Sequence, residues 1–144
     1  MRWFFDSSVL IPALLPDHQH HARSFAAFAA ASPRNAGCAA HSLAEVYATL
    51  TRYPGKQRLS GEYAALLVQE IEHRLTLVWL DGDDYRAAVR QIARMGIVGG
   101  AVYDGLVAAC SVKAGADHLY TWNARHFNLL GAEIQKLVTM PPVV

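Results

Sequence analysis

This sequence predicts an α/β domain built on a central parallel sheet of four to five strands, with helices on both faces. Three observations carry that expectation. Short apolar runs alternate with longer segments of helical spacing along the whole chain. Turn-forming clusters such as Asp6-Ser7-Ser8, Pro33–Gly37, Asp81-Gly82 and Gly115 separate them. And the segment Gly105–Ala114 is apolar on nearly every side, as a helix buried all round would be.

Taken in order, Met1–Phe5 is short and aromatic and suits a buried first strand, which leaves Asp6 at its C-terminal end. Val9–Leu15 is apolar and stops at Pro16. His18–Ala31 is an Ala-rich helix with Phe25 and Phe28 on one face, and Cys38–Ala40 is a strand of small residues. A second helix opens at Ser42 and runs to about Thr51, before Tyr53-Pro54-Gly55. A third, near Gly61–Leu75, places Leu66, Leu67 and Ile71 on its apolar side. Thr76–Leu80 is the next strand, and a fourth helix runs from Asp83 or Asp84 to Met95. Ile97–Ala101 is a Gly-rich link into the apolar helix, whose first turn carries Asp104. The turn at Gly115 leads to a strand, His118–Tyr120, and then to Thr121, Trp122 and Asn123. One more short strand is expected between Glu133 and Val144.

The chain has 144 residues, which suits a single domain spanning 1–144. Hydrophobic residues make up 53% and charged ones 17%, enough to cover both faces of a sheet and to leave apolar surface for a partner. A formal net charge of +1 neither demands nor excludes a nucleic acid. Cys38 and Cys110 lie far apart in apolar runs, outside any C-x-x-C pair, and are expected as buried free thiols. No signal peptide opens the chain, and no apolar run reaches the ~18 residues of a membrane span. A cytoplasmic protein without a membrane is the expectation.

Four residues stand where chemistry would be built. Asp6 caps or turns the chain after the first strand, or else faces a ligand, since crevices in open α/β sheets lie outside the C-terminal ends of strands. Glu45 completes Ser42-Leu43-Ala44-Glu45, an S-x-x-E capping box, which taken singly is its better explanation. Asp104 has no such box, because position 107 is Val. It opens an apolar helix with no Lys or Arg between Arg94 and Lys113, so burial would leave its charge uncompensated. A divalent cation would supply that charge, and hard cations prefer oxygen ligands. Asn123 offers an amide oxygen at the end of the strand after that helix. Asp81, Asp83 and Asp84 lie between strand and helix, where at least one is expected as an N-cap, and His18, His20 and His21 are expected as an exposed helix start. Arg86, Arg90 and Arg94, and separately Arg52, Lys56 and Arg58, form basic patches that solvent or phosphates would meet. No G-x-S-x-G, P-loop or G-x-G-x-x-G occurs.

With those residues in place, the chain resembles the PIN-domain family, and within it the VapC-like toxins of type II toxin–antitoxin pairs. FFDSSVL, AEVYATL and YDGLVAACSVKAGADHLYTWNARHF carry the resemblance, in that order, over essentially the whole chain. It implies a Rossmann-like sheet and a metal-dependent endoribonuclease holding Mg²⁺ or Mn²⁺ at Asp6, Glu45 and Asp104. The fourth polar position, here Asn123, is Asp in many relatives, so this chain departs from the four-acid pattern and one firmly held ion is expected. The resemblance further implies a homodimer and a small antitoxin that blocks the site. Two other functions compete. One is a non-catalytic domain that binds RNA or a partner. The other is an aspartate-based phosphatase acting through Asp6, which lacks the second acid of a D-x-D motif because position 8 is Ser.

Overall fold

A computed structural model describes all 144 residues except the side chain of Gln57. Its sheet is entirely parallel, with five strands: β1 (Trp3–Phe5), β2 (Ala36–Ala39), β3 (Thr76–Val78), β4 (His118–Tyr120) and β5 (Val138–Thr139). Their spatial order is β3-β2-β1-β4-β5. The chain therefore builds outward from β1 to β3 and then returns to lay β4 on the free side of β1. That reversal makes the β1–β4 boundary a topological switch point, outside which α/β sheets form their crevices.

Helices α1 (Ser7–Leu14), α2 (His21–Ala29), α3 (His41–Arg52) and α4 (Gly61–Arg74) follow the first two strands. Then come α5 (Gly82–Arg94), α6 (Val102–Lys113), and the short α7 (Ala124–Asn128) and α8 (Ala132–Gln135). Parallel strands need such crossovers, and successive strand residues face opposite sides. Phe5 accordingly joins Val9, Leu10, Phe28, Val46, Leu50 and Ile71 in one core, fed by α1–α4. Phe4 joins Leu106, Val107, Cys110, Leu119, Phe127 and Ile134 in the other, fed chiefly by α6–α8. Both thiols are free and buried, and burial pushes that of Cys38 up to about 12.

The expected elements are all present, with shifted ends. The helix expected from His18 begins at His21, because residues 16–20 form turns after Pro16. The strand expected over Thr76–Leu80 pairs only to Val78. Leu66 does not face the core: it is 61% exposed, whereas Ala64 and Ile71 are fully buried with Leu67 and Val68 packed against them. The buried stripe of α4 runs 64, 67/68, 71, and position 66 lies roughly 200° around the helix from position 64. Asp81, not Asp83 or Asp84, caps α5, in a reciprocal capping box with Asp84. After α6, Gly115 takes φ +66°, which lets the chain turn sharply into β4.

Candidate metal centre at the sheet switch point

Asp6 is the first residue beyond β1, and its backbone N–H still donates to Tyr120 O of β4 at 3.0 Å. The carboxylate is thereby set at the β1–β4 boundary, 2% exposed. Its Oδ2 accepts from Ser8 Oγ at 2.7 Å and from Thr121 Oγ1 at 2.9 Å. Those hydroxyls are themselves held: Trp122 N donates to Ser8 Oγ at 3.0 Å, and Asn123 N to Thr121 Oγ1 at 2.9 Å. Loop 121–123 and the first turn of α1 thus form one polar lattice around a single carboxylate. Burial pushes the Asp6 carboxyl up to about 6; the two hydroxyls pull it down, and the charges of Asp104 and Glu45 push it further up.

Glu45 lies on α3, exposed, and its Oε1 accepts from Ser7 Oγ at 2.7 Å. The capping box expected with Ser42 does not form. The N-cap of α3 is Ala40, in helical conformation, so Ser42 sits inside the helix, fully buried, and its Oγ has no hydrogen-bond partner. With the N-cap two residues earlier than expected, Glu45 is free to be drawn toward α1 instead.

Asp104 is half-buried in the first turn of α6, and burial raises its pKa first of all. Its Oδ2 stands 3.3 Å from His126 Nδ1, across α7. No basic residue lies near it in sequence, but one is supplied in space by a residue to which the sequence reading assigned no role. A cavity of about 570 Å³ joins Glu45 to Asp104, and His41, Tyr85, Gly100, Tyr103 and Leu106 complete its walls. Asp104 also borders a smaller cavity of about 230 Å³ with His126. A larger apolar cavity between α5, α6 and α8 contains none of the four candidate residues.

Asn123 occupies the N-cap position of α7, exposed, and its side chain makes no capping hydrogen bond among the described residues. Among the described residues its side chain makes no hydrogen bond to the three acids. The structure therefore brings Asp6, Glu45 and Asp104 within electrostatic reach of one another, while Asn123 is exposed and lines neither cavity beside Asp104. Among the described residues, no three His, Cys, Asp or Glu side chains converge closely enough to form a ready coordination sphere. The donor set still suits a hard divalent cation: oxygen atoms only, one carboxylate buried, and mutual repulsion unrelieved by Lys or Arg.

Ser8, read from the sequence as the residue that breaks a D-x-D motif, is the nearer of the two hydroxyl donors to Asp6, at 2.7 Å. Ser7 and Thr121 received no role; their importance comes from pairings between residues 38 and 115 apart in the chain. Of the three histidines expected as an exposed helix start, only His21 lies in α2, and all three are partly buried; His20 stacks on Trp122 at 4.1 Å, with Arg23 5.0 Å from the same ring. Of the basic stripe on α5, Arg86 is paired to Asp83.

The family model for the PIN domain matches residues 3–131. Ribonuclease VapC27 of Mycobacterium tuberculosis is 38% identical over 120 residues, 83% of each chain. Ribonuclease VapC40 of the same species is 32% identical over 111 residues, 77% of this chain and 79% of that one. Among solved structures, M. tuberculosis VapC20, a sarcin–ricin loop cleaving toxin, superposes with a TM-score of 0.69 at 17% identity over 86% of this chain and 92% of its own. A chain of VapBC2 from Rickettsia felis, solved bound to a DNA fragment from the VapBC2 promoter, gives 0.66 at 14% identity over 97% and 98%. The two structures share the fold of this chain.

Proposed function

The chain belongs to the PIN domain family, and from that premise we propose that it is a divalent-metal-dependent endoribonuclease, the toxin of a toxin–antitoxin pair. The observation that carries the reading is Asp6. It is a carboxylate buried at the sheet switch point, tied by two hydroxyls and facing two further acids. The names of the relatives add the substrate class, since VapC27 and VapC40 are ribonucleases.

Asp6, Asp104 and Glu45 would hold Mg²⁺ or Mn²⁺. Such an ion would neutralise the three acids and offset the negative charge that builds on a phosphodiester under attack. Asp6 provides the fixed anchor, because Ser8 and Thr121 hold its Oδ2 and favour its ionised form. Asp104 provides the second ligand, oriented by His126. Glu45, exposed and restrained only by Ser7, is placed to accept a proton from the water that attacks phosphorus in line with the departing ribose oxygen. Asn123, an exposed amide, would contact substrate rather than serve as a fourth acid on the ion.

A homodimer and a small antitoxin partner complete the proposal, in a cytoplasmic protein. Trp79, Val98 and Leu129, all well exposed, supply apolar surface for such partners, and no helix among the described residues is long and apolar enough to cross a membrane.

The test is cleavage of folded RNA with exposed loops by the purified protein in Mg²⁺ or Mn²⁺, against a chelator control. Asp104→Asn should lower the rate by at least about a hundredfold, as loss of several kcal/mol of charge stabilisation implies. Cleavage that persists in Asp104→Asn rejects this site. Failure to cut any RNA favours a non-catalytic binding domain.

A further inference from the structure

The cavity between Glu45 and Asp104 extends well beyond what three carboxylates and an ion require. At about 570 Å³ it falls within the ~300–1,000 Å³ span of small-ligand pockets. One side is acidic; the others are Tyr85 from α5, Tyr103 and Leu106 from α6, His41 from α3, and the bare backbone of Gly100. We propose that this cavity receives one unpaired nucleobase of the RNA, the base beside the phosphate that is cut. The proposal rests on the ribonuclease reading and adds to it the side chains that hold that base.

Two features support it. Tyr85 and Tyr103 stay 40% and 61% exposed although both line a cavity, so their ring faces are available rather than used in the core. Aromatic faces of this kind stack bases of any identity. Finally, Asp104 borders both this cavity and the smaller one beside His126. A base lodged among the tyrosines therefore leaves its own phosphate next to the acids. A paired base could not enter, because neighbours cover both its faces in an A-form helix.

The experiment compares cleavage of an RNA with the same RNA carrying an abasic ribose beside the cut. Wild-type protein should lose on the order of tenfold to a hundredfold in kcat/KM on the abasic strand, as the loss of one base stack implies. Tyr85→Ala and Tyr103→Ala should cut both strands at similar, lowered rates, while Tyr85→Phe and Tyr103→Phe should keep the wild-type preference. Alanine variants that discriminate as wild type does overturn the proposal. A second readout is independent of cleavage. Unstructured oligoribonucleotides containing one 2-aminopurine should be quenched on binding to Asp6→Asn protein, and the quench should vanish when Tyr103→Ala is added. A wild-type protein that cuts no RNA but shows this quench removes the ribonuclease reading and keeps the pocket. Equal quenching with and without Tyr103 removes the pocket.

Discussion

Asp6 is held in a way that only its neighbours explain. Ser8 and Thr121 both donate to Oδ2, and such bonds to a carboxylate lower its pKa against the desolvation that raises it. Thr121→Val keeps the shape and removes one donor. The Asp6 pKa should then rise above its present value of about 6, which leaves less carboxylate at neutral pH. Cleavage at pH 7 should fall roughly tenfold, the worth of one charge-assisted hydrogen bond, and the acid limb of the pH–rate profile should move to higher pH. A profile unchanged from wild type argues that Thr121 does not act on Asp6. At Glu45, Ser7→Ala frees the side chain from α1; the expected result is a lower kcat with an unchanged fold by circular dichroism. Asp6 and Glu45 were both visible in the sequence as acids in suggestive places. Their hydroxyl partners were not, since nothing local marks a Thr at position 121 as a neighbour of position 6.

Helix α6 places Asp104, and Gly105 fixes how closely α6 can approach α5. A Cβ on Gly105 would lie 2.3 Å from Ile92 Cδ1 and 2.8 Å from Ile92 Cγ1. Ile92 is itself 6% exposed, so its side chain has little room to give. Gly105→Ala should therefore destabilise the protein by about 1–3 kcal/mol, the usual cost of overpacking, measured by urea denaturation. Because Asp104 precedes the contact directly, activity should fall by more than the unfolded fraction explains. The apolar character of this helix, its turn at Gly115 and its leading acid were all legible from composition. The start of α3 was not. Ser42 and Glu45 satisfy the sequence rule for a capping box, yet Ala40 takes the N-cap, because tertiary packing sets where the helix begins.

Across the whole molecule, the buried acid links stability to pH. Asp6 has a folded pKa of about 6 against 3.8 for the free side chain. The folded state therefore keeps a proton that the unfolded chain releases between about pH 4 and 6. Its contribution is most favourable below pH 4, falls as pH rises through 6, and is flat beyond. About two pKa units correspond to about 3 kcal/mol. The histidines His18 and His41, whose burial lowers their pKa values, act in the opposite direction near neutrality. The difference between wild type and Asp6→Asn isolates the acid. In chelator, Asp6→Asn should be the more stable protein at pH 7.5, by up to about 3 kcal/mol, with the gap closing by pH 4. Added Mn²⁺ should raise the melting temperature of wild type and leave Asp6→Asn nearly unmoved. Equal stabilisation of both proteins by the ion would place the cation elsewhere.

The sequence by itself determined the alternation of strands and helices, the buried helix α6 and the acids that end β1 and begin α6. These follow from local patterns of apolarity and turn chemistry, which act over a few residues. Only the tertiary structure decided that β4 lies beside β1, that Thr121 and Ser8 share one carboxylate, and that His126 meets Asp104. It likewise turned Glu45 from a cap into a partner of Ser7, and left Asn123 exposed. Each of these depends on the order in which parallel strands pair. That order is set by how both faces of the sheet are covered at once, so no window of neighbouring residues contains it.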